Sequence, residues 1–188
     1  MKFAVFDTET TGLPVHKDAP LALQPRIIEF GGVITDGHEI LDELEFICDP
    51  RMQITDEITR ITGLTNADLK GKPEFDDFIP QLQKFYQQAD AYVAHNASFD
   101  RHMLQFDLRR VKKDLAYIFF PKIPICTVEE TFPMYGRRMK LIELYELLVG
   151  PYVQKHRAID DVRLLHAICQ KLGIYEAFTL ANEQQKVA

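Results

Sequence analysis

The chain has 188 residues, enough to bury one sizeable core and too few for two independent ones without a visible linker. Hydrophobic residues make up 46% and charged residues 27%, with no low-complexity bias, which excludes disorder as the main state. The net charge of −6 excludes a nucleic-acid binder that works by charge alone, because such proteins neutralise phosphates with excess Lys and Arg; an acidic chain still binds nucleic acid where metals bridge the contact.

The opening residues MKFAVFDTET reach Asp7 before an apolar stretch of signal-peptide length accumulates, and no later apolar run approaches the roughly 20 residues of a spanning helix. Neither secretion by signal peptide nor membrane insertion is expected. Cys48, Cys126 and Cys169 lie far apart, none at zinc-ligand spacing, so a reducing, cytoplasmic setting fits best.

In chain order, KFAVF (2–6) is the apolar, β-branched and aromatic run of a central strand, ending near Thr8 to Thr10 before the turn-rich TTGLP. RIIEFGGVIT and ILDELEFICD flank Asp36-Gly37, a hairpin signal, and predict a three-stranded antiparallel meander. TDEITRIT (55–62) predicts a short capped helix closed by Gly63, and PEFDDFIPQLQKFYQQ (73–88) a helix on its spacing of Phe75, Phe78, Ile79, Leu82 and Phe85. AYVAH (91–95) reads as a buried strand, Ser98 to about Lys113 as a helix and ICTV (125–128) as a strand; KLIELYELL and Ile159 to Leu172 read as helices. This order predicts a mixed sheet with helices on its faces. Residues 1–175 form one domain in this reading, and 176–188 a short polar tail whose last residues, ANEQQKVA, fray.

Several carboxylates stand in costly places. Asp7 and Glu9 are two residues apart at the end of the first strand, so both point to one face. Crowding such a pair demands a cation, and hard divalent ions take carboxylate oxygens; a strand running out into a solvated loop explains the dyad equally well. In the helix from Ile159, turning about 100° per residue, Asp161 falls inside the arc of Leu164, Leu165, Ile168, Cys169 and Leu172, whereas Asp160 falls near Lys171, toward water. A carboxylate aimed at the core without a partner is expensive, which favours a ligand role for Asp161. Asp100 lies beside Leu104, Leu108 and Val111 in the first turn after AYVAH, with Asp107 sharing the arc more loosely. A first-turn acid is also favoured by the helix dipole alone. His156, five residues before Asp161, has the pKa range to take a proton from an activated water at neutral pH, although a loop histidine by itself is more often just solvated. His16, His38, His102 and His166 read as surface or packing residues.

FDTETTG (6–12), HNASFD (95–100) and HRAIDD (156–161) together resemble the three motifs of the DEDDh, or DnaQ-like, 3′→5′ exonucleases, and ITRITGLTNADLKGKPEFDDF (58–78) is similar to the same family. The resemblance extends through Leu172 and implies a ribonuclease H-like fold. It further implies that Asp7, Glu9, Asp100 and Asp161 hold two divalent cations, Mg²⁺ or Mn²⁺, with His156 as general base, releasing nucleoside 5′-monophosphates from a 3′ end. Thr10, Thr11 and Gly12 would cradle the terminal nucleotide, Asn96 and Phe99 would line or wedge its pocket, and Glu57 and Thr62 would lie near the terminal sugar. Some members carry His where this chain has Thr62. The implied substrate is nucleic acid 3′ ends, single-stranded DNA ahead of RNA, in a proofreading or repair role with a DNA polymerase as a candidate partner. The rivals are an exoribonuclease, a polymerase-associated accessory subunit, and a hydrolase of other phosphodiesters; intact acids argue against a non-catalytic domain, and the short tail leaves little room for a partner-binding extension. Two basic clusters, Arg109, Arg110, Lys112 and Lys113, and Arg137, Arg138 and Lys140, are candidate backbone contacts, the second better placed because Phe132 and Tyr135 offer stacking surfaces. A solvated helix face or loop is the commoner explanation for each.

Overall fold

The computed structural model describes residues 1–16, 19–153 and 157–187. Its centre is a five-stranded mixed sheet of β1 (Phe3–Thr10), β2 (Ile27–Thr35), β3 (Ile40–Ile47), β4 (Ala91–Ala94) and β5 (Ile123–Cys126), in the order β3-β2-β1-β4-β5. β1, β2 and β3 run antiparallel as a meander, and β4 and β5 then run parallel to β1. The β2–β3 hairpin turns at Asp36-Gly37, where Gly37 takes φ +102° and the Asp36 carboxylate accepts from the His38 and Glu39 amides.

β1 is central because its side chains suit burial on both faces: Phe3, Ala4, Val5 and Phe6 are all fully buried. Ala4 and Phe6 join Phe30, Leu82, Phe85, Tyr86, Met103 and Leu104 beneath α3 (Ile79–Tyr86) and α4 (Ala97–Arg110). Phe3 and Val5 join Val33, Val93, Leu144, Val162 and Leu165 beneath α6 (Leu141–Leu148) and α7 (Ala158–Lys171). The sheet is thus the middle of three layers.

The short helix α1 (Asp56–Thr62) carries the expected cap, with the Thr55 hydroxyl accepting from the Ile58 amide and Gly63 closing it at φ +73°. Residues 75–78 form a 3-10 turn that runs into α3, with Pro in the helix's first turn. Three helices depart from the sequence expectation. α2 (Asn66–Leu69) is one turn held by a Thr65–Asp68 capping box. α5 (Thr127–Tyr135) starts at Thr127, so the expected strand ICTV ends at Cys126; the β-branched Thr127 and Val128 are helical and buried. α8 (Ile174–Val187) replaces the expected frayed tail and crosses the 175/176 boundary, with Tyr175 buried against Phe3 at 4.8 Å between ring centroids.

Candidate active site

The strand period carries the Phe3 and Val5 face forward to Asp7 and Glu9, which are half-buried at the carboxyl end of β1. The carboxyl ends of β1 and β4 lie at the same end of the sheet, where α4 also begins. On the facing layer, the first turn of α7 presents Asp161, buried as the helical arc requires, and one carboxylate oxygen from each of Asp7, Glu9 and Asp161 lies within 4.8 Å of the others. Asp160 turns away toward Arg163 at 3.7 Å.

Gly31 makes this convergence possible. It pairs with Asp7 across β1 and β2, and a Cβ there would stand 2.4 Å from the Ile159 amide nitrogen and 2.6 Å from the Ala158 carbonyl carbon. Only hydrogen fits, so the start of α7 rests directly on the sheet and drops Asp161 beside the β1 dyad.

Asp100 arrives from α4. Asn96 in left-handed conformation (φ 70°) turns the chain from β4 into that helix, and the fully buried Asp100 accepts at one oxygen from the Thr8 amide (3.1 Å) and the Thr8 hydroxyl (2.8 Å).

Carboxylates so crowded resist ionisation. Burial, followed by the charges of Asp100, Glu9 and Asp161, holds the Asp7 carboxyl well above the usual range. Burial and then Asp161, Glu29 and Asp100 push Glu9 up to about 8, against a lowering pull from Arg157. Asp100 is raised to about 7 by burial, opposed by its Thr8 hydrogen bonds. An all-oxygen donor set that cannot bear its own charge is suited to a hard divalent cation, and these residues fit one.

Two participants escaped sequence reasoning. Glu29 stands directly opposite Glu9 across β1 and β2 and is 1% exposed. Arg157, immediately before α7, donates to its Oε1 through Nε at 2.8 Å, with Nη2 in ion-pair contact with the same oxygen at 2.8 Å. The available signal was a glutamate inside the otherwise apolar run IIEF; its partner lies 128 residues away, beyond any local pattern. His156, the expected general base, lies outside the described residues.

The remaining expected site residues divide. Thr10, Thr11 and Gly12 form a braced loop: the Thr10 hydroxyl donates to the Gly12 carbonyl (2.8 Å), the Thr11 amide donates to the Arg26 carbonyl, and the Thr11 hydroxyl accepts from the Arg26 amide. Asn96 accepts from Arg138 Nη2 at 3.0 Å, and Phe99 is half-buried one residue before Asp100. Glu57 is exposed in the first turn of α1, whereas Thr62 is buried, its hydroxyl donating to the Ile58 carbonyl and accepting from the Leu64 amide.

The first basic cluster is corrected in part. Arg110 is structural: it pairs with the buried Asp107 at 2.7 Å and donates to the carbonyls of Leu21, Gln24 and Pro25, while Asp107 also accepts from the Ile27 amide. Lys113 covers the Tyr117 ring at 3.8 Å. In the second cluster Arg137 pairs with Glu143, and Phe132 is exposed. His166 is a packing residue bonded to the Tyr175 hydroxyl, and His38 is exposed. Among the described residues no helix is long and apolar enough to cross a membrane.

A family model described as an exonuclease matches residues 4–169. The chain is 31% identical over 172 residues to the DNA polymerase III subunit epsilon of Treponema pallidum, covering 90% of this chain and 74% of that protein. It is 30% identical over 162 residues to the PolC-type DNA polymerase III of Clostridium perfringens, but spans only 10% of that protein's length. Among solved structures, Exonuclease X in complex with 5′ overhanging duplex DNA is 26% identical, with a TM-score of 0.60 over 91% of this chain and 93% of that one. The nuclease domain of 3′hExo, a DEDDh family member bound to rAMP, superposes with a TM-score of 0.73 at 18% identity over 91% of this chain and 90% of that one, which establishes the ribonuclease H-like fold.

Proposed function

The chain belongs to the DEDDh, or DnaQ-like, exonuclease family, and we propose that within it the protein is a 3′→5′ exonuclease that hydrolyses single-stranded DNA ends to nucleoside 5′-monophosphates. The observation that carries this reading is the convergence of Asp7, Glu9 and Asp161 within 4.8 Å, with Asp100 reaching the same strand end through Thr8.

In this reading Asp7, Glu9, Asp100 and Asp161 hold two divalent cations, Mg²⁺ or Mn²⁺, which supply the Lewis acidity that activates water and neutralises charge on the leaving oxygen. His156 takes the proton of the attacking water, a step suited to an imidazole near neutral pH. The braced loop Thr10 to Gly12 supports the terminal nucleotide, and Phe99 and Asn96 bound its pocket, Asn96 held in place by Arg138. Glu57 faces the terminal sugar from the exposed turn of α1; Thr62 contributes by anchoring that helix, since its hydroxyl is engaged within the backbone. Cations at the scissile phosphate make the net charge of −6 compatible with a nucleic-acid substrate. The likeness to an epsilon subunit supports DNA ahead of RNA and a DNA polymerase as partner.

The test is degradation of a 5′-labelled single-stranded DNA and its RNA counterpart with Mg²⁺ or Mn²⁺, comparing the wild type with Asp7→Ala and His156→Ala. A descending ladder on DNA that both substitutions abolish supports the reading. A stronger ladder on RNA would instead make the protein an exoribonuclease, and no ladder on either substrate would overturn catalysis by the isolated chain.

A further inference from the structure

Arg157 Nε donates to Glu29 Oε1 at 2.8 Å, and Nη2 lies 2.8 Å from the same oxygen as an ion-pair contact. A guanidinium facing a carboxylate frequently engages both oxygens with parallel bonds. Here Glu29 Oε2 is left buried with no hydrogen-bond partner, although the side chain is only 2% exposed. An unsatisfied buried carboxylate oxygen is an expensive feature in a strand core. Glu29 is the direct cross-strand neighbour of Glu9, so the two side chains rise from the same face of the sheet, and its charge is felt at both Asp7 and Glu9.

We propose that Glu29 is a positioning residue of the acidic cluster, a fifth carboxylate fixed by Arg157 through Oε1 whose unpartnered Oε2 accepts from the hydration water of a divalent cation held by Asp7, Glu9 and Asp161. The inference rests on the metal-dependent reading above. Charge supports it: the carboxylates of Asp7, Glu9, Glu29, Asp100 and Asp161, set against the guanidinium of Arg157, leave a negative excess that two divalent cations match. Geometry supports it as well. The ion pair ties β2 to the residue that opens α7, the helix carrying Asp161, so one contact sets both the outer acceptor and an inner ligand.

The test is Mn²⁺ binding to the full chain by isothermal titration, with circular dichroism confirming the fold, for the wild type, Asp7→Asn, Glu29→Gln and Arg157→Gln. Glu29→Gln keeps an acceptor for Arg157 but replaces one oxygen with an N–H donor. The expected result is at least a tenfold loss of Mn²⁺ affinity in Glu29→Gln, the usual scale for an outer-shell partner, with a clearly smaller loss in Arg157→Gln, which loosens the anchor but keeps the Oε2 acceptor and its charge. Wild-type affinity in Glu29→Gln, or an equal loss in Arg157→Gln, would overturn the proposal by reducing Glu29 to a structural partner. If the wild type itself binds no Mn²⁺, the metal-dependent reading fails first and takes this inference with it.

Discussion

Gly31→Ala isolates the packing that builds the site. The glycine lies in β2 with no left-handed φ, so alanine is acceptable to the backbone and would stabilise by about 0.4–1 kcal/mol through the unfolded chain if nothing else changed. Its Cβ, however, would meet the Ile159 nitrogen at 2.4 Å, the Ala158 carbonyl carbon at 2.6 Å and the Ile159 Cα at 2.7 Å, all backbone atoms that no rotamer change can clear. Restoring ordinary contact near 3.4 Å moves the start of α7 by about 1 Å. Overpacking against a rigid backbone costs about 1–3 kcal/mol, which in a domain of this size lowers Tm by roughly 2–12 °C. The same shift withdraws Asp161 from Asp7 and Glu9, and a displacement of about 1 Å can lower activity about 100-fold. Gly32→Ala is the control: its Cβ meets the ring ends of Phe85 and Phe30, side-chain atoms on the opposite face, so it is expected to destabilise less and to leave Mn²⁺ affinity unchanged. Thermal unfolding and Mn²⁺ titration of both variants decide the matter. Gly31→Ala with wild-type Tm and wild-type Mn²⁺ affinity would refute the argument.

Three further outcomes follow from the same geometry. Glu9 at about 8 and Asp100 at about 7 are acids whose folded pKa values are raised, so the folded state binds more protons than the unfolded one between roughly pH 4 and 8. Metal-free protein should therefore lose stability as pH rises from 5 to 8.5, by on the order of 2–4 kcal/mol for these coupled groups, and saturating Mg²⁺ should remove most of the loss; EDTA-treated protein equally stable at both pH values would contradict this. Arg110→Ala leaves Asp107 buried without its cation and should destabilise by about 3–5 kcal/mol, with the Mn²⁺ affinity of the folded fraction unchanged; wild-type stability by urea denaturation would show the pair to be dispensable. Thr8→Val removes the hydroxyl donor to Asp100 but keeps the amide bond, and should cost about 0.5–1.5 kcal/mol as one lost hydrogen bond; an unchanged Tm in thermal unfolding would show that the hydroxyl contributes nothing.

What could be read ahead of the structure followed from periodicity. The place of Asp161 inside an apolar arc, Asp7 and Glu9 on one strand face, and the Thr55 and Gly63 caps are local patterns, and the structure reproduces each one. Gly31 and the Glu29–Arg157 pair were illegible because their meaning lies in contacts between β2 and α7, more than a hundred residues apart. α5 was hidden by the strand-forming Thr127 and Val128 and by Pro133 inside the helix, where burial overrides propensity. α8 was hidden by its polar end, although Ala, Glu, Gln and Lys are strong helix formers and Tyr175 anchors its start. Asp107 shows the limit of the arc test: it lies on the buried side of α4 as Asp100 does, yet its partners are Arg110 and the Ile27 amide.

The most direct test of metal-dependent, 3′-directed hydrolysis compares one single-stranded DNA labelled at its 5′ end with the same strand labelled at its 3′ end, each with Mg²⁺ and with EDTA. The account predicts a descending ladder from the first, immediate release of a labelled mononucleotide from the second, and neither in EDTA. Early release of the 5′ label as a mononucleotide, internal fragments, or degradation that persists in EDTA would contradict it.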